Sequence, residues 1–142
     1  MKTIKTIVLE DAKKAVKSME KKCLELKLEC SFCILDCMGN IIILEKMDNA
    51  SAASTEIAEN KARAALKTFL STRSIDDMIK DKNIEIGYLS DACKTAVWGG
   101  FPLFEKEMNK IPIGAIGVCG GSWEQDEEIA KTGIKAMNLI NK

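Results

Sequence analysis

The chain has 142 residues, 46% hydrophobic and 30% charged, a profile that suits one compact soluble domain whose core needs neither disulfide nor metal staples. Its 21 basic and 21 acidic side chains cancel, so no overall positive field draws it to nucleic acid or anionic lipid. Histidine is absent, which excludes Ser-His-Asp and Cys-His catalysis and any His-held zinc or haem iron.

No apolar run approaches the roughly twenty residues that cross a bilayer, and Met1 to Lys5 lead into a charged helix. The cytoplasm is the expected compartment. Ala12, Val16, Met19, Cys23 and Leu26 recur at alternating steps of four and three and predict a helix from Leu9 to Leu28, with Glu10 and Asp11 favouring its positive end. Cys30 to Leu35 is β-rich, Asp36-Cys37-Met38-Gly39-Asn40 reads as a hairpin turn, and Ile41 to Leu44 forms a second strand. Because that second strand is apolar without alternation, both its faces are expected to be covered, by a helix layer and by a helix or a partner subunit. The serines of the polar stretch from Met47 to Ser54 can cap a helix from about Thr55 to Leu70. Its stripe is Ala58, Ala62, Ala65 and Phe69, and Lys61 stands on the border as a partly buried or snorkelling cation.

Between Ser74 and Val97 the pattern weakens to a short helix at Asp76 to Lys80 and a polar connection through Asn83, Gly87 and Ser90. Gly99 to Leu103 punctuates the chain, Glu105 to Lys110 is a charged turn, and Ile111 to Cys119 reads as a strand with Pro112 at its start. After the Gly120-Gly121-Ser122 break, the last helix runs from Trp123 to Ile140, its apolar side Ile129, Ile134, Met137 and Ile140. Glu124, Asp126, Glu127 and Glu128 crowd its first turns. This order predicts a single α+β domain over residues 1–142, an antiparallel sheet flanked by helices.

Cys30, Cys33 and Cys37 invite a metal reading. Residues three apart in a strand face opposite sides, however, so the cysteines are read as small core residues and no metal is expected. Gly117, Gly120 and Gly121 precede a helix whose acidic first turns would repel phosphate, so they are read as a tight turn leaving room for a neighbouring subunit or a flat ligand. The acidic cluster itself is read as dipole partners rather than a cation site. Asp36 and Lys61, with the bare backbone of Gly99 and Gly100 and the face of Phe101-Pro102, are expected to line a pocket for a flat, carboxylate-bearing molecule.

The stretch Gly114-Ala115-Ile116-Gly117-Val118-Cys119-Gly120-Gly121-Ser122-Trp123-Glu124-Gln125-Asp126-Glu127 closely resembles the GlcG/HbpS family, which includes the C-terminal domain of PduO proteins. Leu9-Glu10-Asp11-Ala12, Asp36 with Gly39, Met47-Asp48, Ala50, Ala58 with Lys61-Ala62 and Ala65, and Gly99 to Leu103 follow the family's order, so the resemblance covers essentially the whole chain. It implies a profilin-like antiparallel sheet with helices, a homo-oligomer, and binding of haem, a corrinoid or a related small molecule in the service of diol, glycerol or glycolate metabolism. Two departures stand out. Cys119 replaces the family's usual serine, and no histidine can hold haem iron as in PduO-type relatives. A bound haem would take a hydroxyl, Tyr88, a methionine or a cysteine thiolate, or no protein ligand. A ligand-free accessory protein that contacts a metabolic enzyme is the alternative, and an enzyme using a carboxylate and lysine ranks third.

Overall fold

The computed structural model describes residues 1–84, 95–108 and 110–141. Gly87, Tyr88 and Ser90, and the sixth cysteine, Cys93, lie outside them. Helix α1 (Leu9–Leu26) leads into the hairpin of β1 (Ser31–Asp36) and β2 (Ile41–Lys46). Helices α2 (Ser54–Thr68) and α3 (Thr72–Lys82) follow, then β3 (Gly100–Phe104), β4 (Gly114–Cys119), α4 (Trp123–Ala136) and the two-residue β5 (Ile140–Asn141). The five strands form one sheet in the order β2-β1-β4-β3-β5, antiparallel throughout. The expected α+β class is what the structure shows.

Strand alternation sorts the core into two layers. Phe32, Ile34, Phe101, Leu103, Ile116 and Val118 face α1 and α4, where Met19, Ile129 and Ile134 meet them. Cys33, Leu35 and Ala115 face α2, under Ala58, Ala62 and Leu66. Cys30 and Cys33 therefore sit on opposite faces, as their spacing requires. Burial pushes the Cys33 thiol up to about 12, which keeps it a neutral packing group.

Helix α2 lies unusually close to the sheet because Gly100 and Gly117, paired across β3 and β4, have no side chains in its path. A Cβ at Gly117 would stand 2.1 Å from the Ala58 carbonyl oxygen, and one at Gly100 2.5 Å from that of Lys61. These glycines seat a helix.

The structure redraws five sequence expectations. Gly100 to Phe104 is a fully buried strand rather than punctuation. Pro102 is tolerated in it because, among the described residues, β5 pairs with Leu103 and Phe104 and not with Pro102, so no described strand residue on that side requires a proline N–H. The expected strand from Ile111 begins only at Gly114, leaving Pro112 in the approach. The last helix stops at Ala136, and Asn138 takes a left-handed turn (φ 56°) that sends Ile140 into β5. The apolar second strand is the sheet edge, where Ile41 and Leu44 are each 42% exposed in the single chain, so the chain's own helices do not cover it fully. Helix α3 is also longer than the short helix expected, starting from a Ser71 cap whose hydroxyl accepts the Ser74 amide at 3.1 Å.

Glu45 on β2 and Glu20 on α1 are adjacent carboxylates, and with both ionised the buried Oε2 of Glu45 finds no donor among the described residues. Two ionised carboxylates have only acceptors, so a bond between them needs a shared proton. That bond to Glu20, with burial and the neighbouring charge, raises Glu45 to about 7. The folded state thus holds its proton more tightly than the unfolded chain. The contribution is complete below the ordinary glutamate pKa and is lost as pH rises through about 7. Glu45→Gln is expected to remove this loss, gaining about 1 kcal/mol at pH 8 relative to wild type after allowance for the pair's exposure. Urea melts at pH 5 and pH 8 measure it; equal pH slopes in the two proteins would refute the pairing.

Candidate functional site

Lys61 and Asp126 each occupy the apolar stripe of their helix. Ala58 and Ala65 flank Lys61 on α2, and Ile129, Ala130 and Gly133 continue the stripe from Asp126 on α4. The two charges meet where the helices approach β4: Lys61 Nζ donates to Asp126 Oδ2 at 2.9 Å and to the Val118 carbonyl at 2.6 Å. Their side chains are 0% and 2% exposed. Lys61 is thus a fully buried cation, not the border or snorkelling residue its sequence position suggested. Burial pushes the Asp126 carboxyl up, and the pull of Lys61 and of the Gly120 and Gly121 amides does not fully offset it. The Gly121 amide donates to Asp126 Oδ1 at 2.8 Å, and Ser122 and Gln125 close a capping box beside it.

A pocket of about 350 Å³ lies over this pair, walled by Ile57, Val97, Cys119 and Trp123. Beside it, Trp98 stacks obliquely on Trp123 at 5.6 Å, Arg73 covers Trp98 at 4.2 Å and pairs with Glu127 at 3.1 Å. The Trp98 indole donates to Asp76 at 3.0 Å, so α3 and α4 are joined by an aromatic and ionic cluster.

The residues expected to form one pocket are divided by the fold. Lys61, Gly99 and Gly121 converge: a Cβ at Gly99, whose φ is +118°, would stand 3.1 Å from Lys61 Nζ. Gly100 and Gly117 are filled by the backbone of α2, and Gly120 lies against Cys30. Phe101 does not face Lys61, because alternation places it in the α1/α4 layer with Lys131 Nζ 5.9 Å from its ring. Pro102 is buried within β3. Asp36 is in the hairpin turn, where Oδ1 accepts the Met38 amide at 2.9 Å and the Asn40 amide at 2.8 Å. Burial raises its carboxyl, but these bonds and that from the Asn40 side chain outweigh the effect and hold it below the usual aspartate range. Because Asp126 already neutralises Lys61, the carboxylate expected opposite that lysine is internal to the fold.

A second opening, of about 660 Å³, lies at the other end of the hairpin, where the N-terminal segment passes the turn between β3 and β4. Ile4, Met38, Met108 and Ile111 line it and are 64%, 73%, 66% and 66% exposed. Cys37, Lys2 and Lys110 complete its rim. Sequence reading missed this cleft because its parts come from three distant stretches. Among the described residues no cluster of three or more metal-ligating His, Cys, Asp or Glu occurs, and no helix is long and apolar enough to cross a membrane.

A five-stranded antiparallel sheet layered between α1/α4 and α2, with clefts at both ends of the hairpin, defines a small α+β domain. The sequence profile described as haem degrading protein HbpS-like matches residues 7–135, and the chain belongs to that family. It is 34% identical over 139 residues to a 15.0 kDa protein of the dhaT-dhaS intergenic region of Citrobacter freundii, covering 96% of each. It is 31% identical over 117 residues to the corrinoid adenosyltransferase PduO of Salmonella typhimurium, which is 81% of this chain but only 34% of that relative. The crystal structure of a PduOC:heme complex superposes with a TM-score of 0.83 at 26% identity, covering 95% of this chain and 97% of that one.

Proposed function

We propose that this chain is a binding module for a flat tetrapyrrole, haem or a related corrinoid, seated in the 660 Å³ cleft and accessory to diol, glycerol or glycolate metabolism. The observation that carries the reading is the convergence of Ile4, Met38, Met108 and Ile111, all well exposed, on one opening. Large apolar side chains left in water together mark a surface that gains by being covered. Lys2 and Lys110 on its rim suit the propionates of haem, and Cys37, Met38 and Met108 are soft donors for its iron. Haem would supply one-electron chemistry or simply be carried. The haem-bound PduOC structure and the relative encoded between dhaT and dhaS support the ligand class and the metabolic setting.

In this reading Lys61, Gly99, Gly100, Gly117, Gly120 and Gly121, with Phe101 and Pro102, hold the frame rather than touch the ligand. The module is a homo-oligomer in the same proposal, since the exposed Ile41 and Leu44 of β2 offer an edge to a second copy; sedimentation at monomer mass over a wide concentration range would remove that part.

Haemin titration tests the ligand. A Soret band that saturates at one equivalent and survives gel filtration is expected. Ile111→Glu, which sets an anion against the propionates on an exposed position, should weaken binding about tenfold. Failure of wild-type protein to retain haem would overturn the proposal in favour of a ligand-free accessory.

A further inference from the structure

We infer that Met38 is the sulfur ligand this chain presents to the tetrapyrrole metal and that Asp36 is the residue that positions it; the inference rests on the binding reading above. With no histidine in the chain, any side chain that ligates the metal is another donor. The cleft lining offers thioethers at Met38 and Met108, a thiol at Cys37, and several lysines and carboxylates. Lysine must lose a proton before it can ligate, and so must a thiol; a thioether needs no such step. Carboxylates are hard donors better matched to calcium or magnesium.

Met38 differs from Met108 in how it is mounted. Its side chain is 73% exposed and contributes little packing, yet its backbone is clamped. Asp36 Oδ1 takes the amides of Met38 and Asn40, Oδ2 takes the Asn40 side chain at 3.0 Å, and the Asp36 carbonyl takes the Gly39 amide at 3.1 Å. The Cys37 amide adds a bond to Thr6 Oγ1 at 3.0 Å, fastening the turn to the N-terminal segment that forms the opposite wall. A stiff mount carrying a free, polarisable tip is what a ligand requires, since the ordering cost is met before the metal arrives. Met108 has no such clamp among the described residues.

The test is spectroscopic. The ferric haem complex of wild-type protein should show the near-infrared sulfur-to-iron charge-transfer band. Met38→Leu, of similar volume, should lose it and lower the reduction potential, while Met108→Leu should keep both. Asp36→Ala should diminish the band, and Asp36→Asn, which retains the Oδ1 acceptor, should restore it. Haem retained without the band, or a band that persists in Met38→Leu, overturns the assignment and leaves the binding reading standing. Haem not retained at all overturns both.

Discussion

Gly117→Ala is expected to destabilise the protein by about 3 kcal/mol or more, the largest effect of a methyl group added at any described glycine. The new Cβ would stand 2.1 Å from the Ala58 carbonyl oxygen and 2.9 Å from the Ala62 amide nitrogen. Both are helix backbone, so no rotamer change relieves the contact, and α2 must lift from the sheet along its length. Gly133→Ala is the control. There the nearest atoms are Met19 Sδ at 2.9 Å and Cγ at 3.0 Å, the far end of a flexible side chain, and alanine favours the helix. Its effect should stay within about 1 kcal/mol of zero. Chemical denaturation of the two variants decides, and equal midpoints would refute the flush seating of α2.

Lys61→Met is expected to cost about 3–5 kcal/mol, because it strands the Asp126 carboxylate, 2% exposed, without its counter-charge. Asp126→Leu should cost a similar amount by stranding the ammonium. The double variant should recover most of the loss, since two apolar side chains need no solvation. The single variant also carries a pH signature. Asp126 is already raised by burial, and loss of Lys61 raises it further, so Lys61→Met should regain stability as the medium is acidified. Denaturant melts of all three variants across pH measure this. Single variants within 1 kcal/mol of wild type, or strictly additive losses, would show that the pair is not a closed unit.

The helices were legible where a stripe ran unbroken: the Ala12-to-Leu26 periodicity located α1, and the alanines of α2 located the helix that covers the sheet. The ion pair was half legible. Lys61 and Asp126 each stand on an otherwise apolar stripe, and two opposite charges so placed can be expected to find each other, but the acidic neighbours of Asp126 suggested dipole partners instead. Strand β3 was obscured because glycine and proline are the usual marks of a break, whereas here Gly100 makes room for α2 and Pro102 faces no described residue of β5. The run Ile41-Ile42-Ile43-Leu44 announced an apolar strand but not its place at the sheet edge, which depends on where β4 inserts many residues later. The large cleft could not be read from any one segment. It exists only because the N-terminus, the β1–β2 turn and the approach to β4 end up side by side.

The two layers of this molecule have different tolerance for sequence drift. Where α1 and α4 meet the sheet, pliable groups such as Met19 can absorb a change in volume. Under α2 the fit is cut into main chain on both sides, at Gly100 and Gly117 against the carbonyls of Lys61 and Ala58, and nothing there can yield. Attempts to redesign the protein can therefore rework the first layer freely but must inherit the second intact.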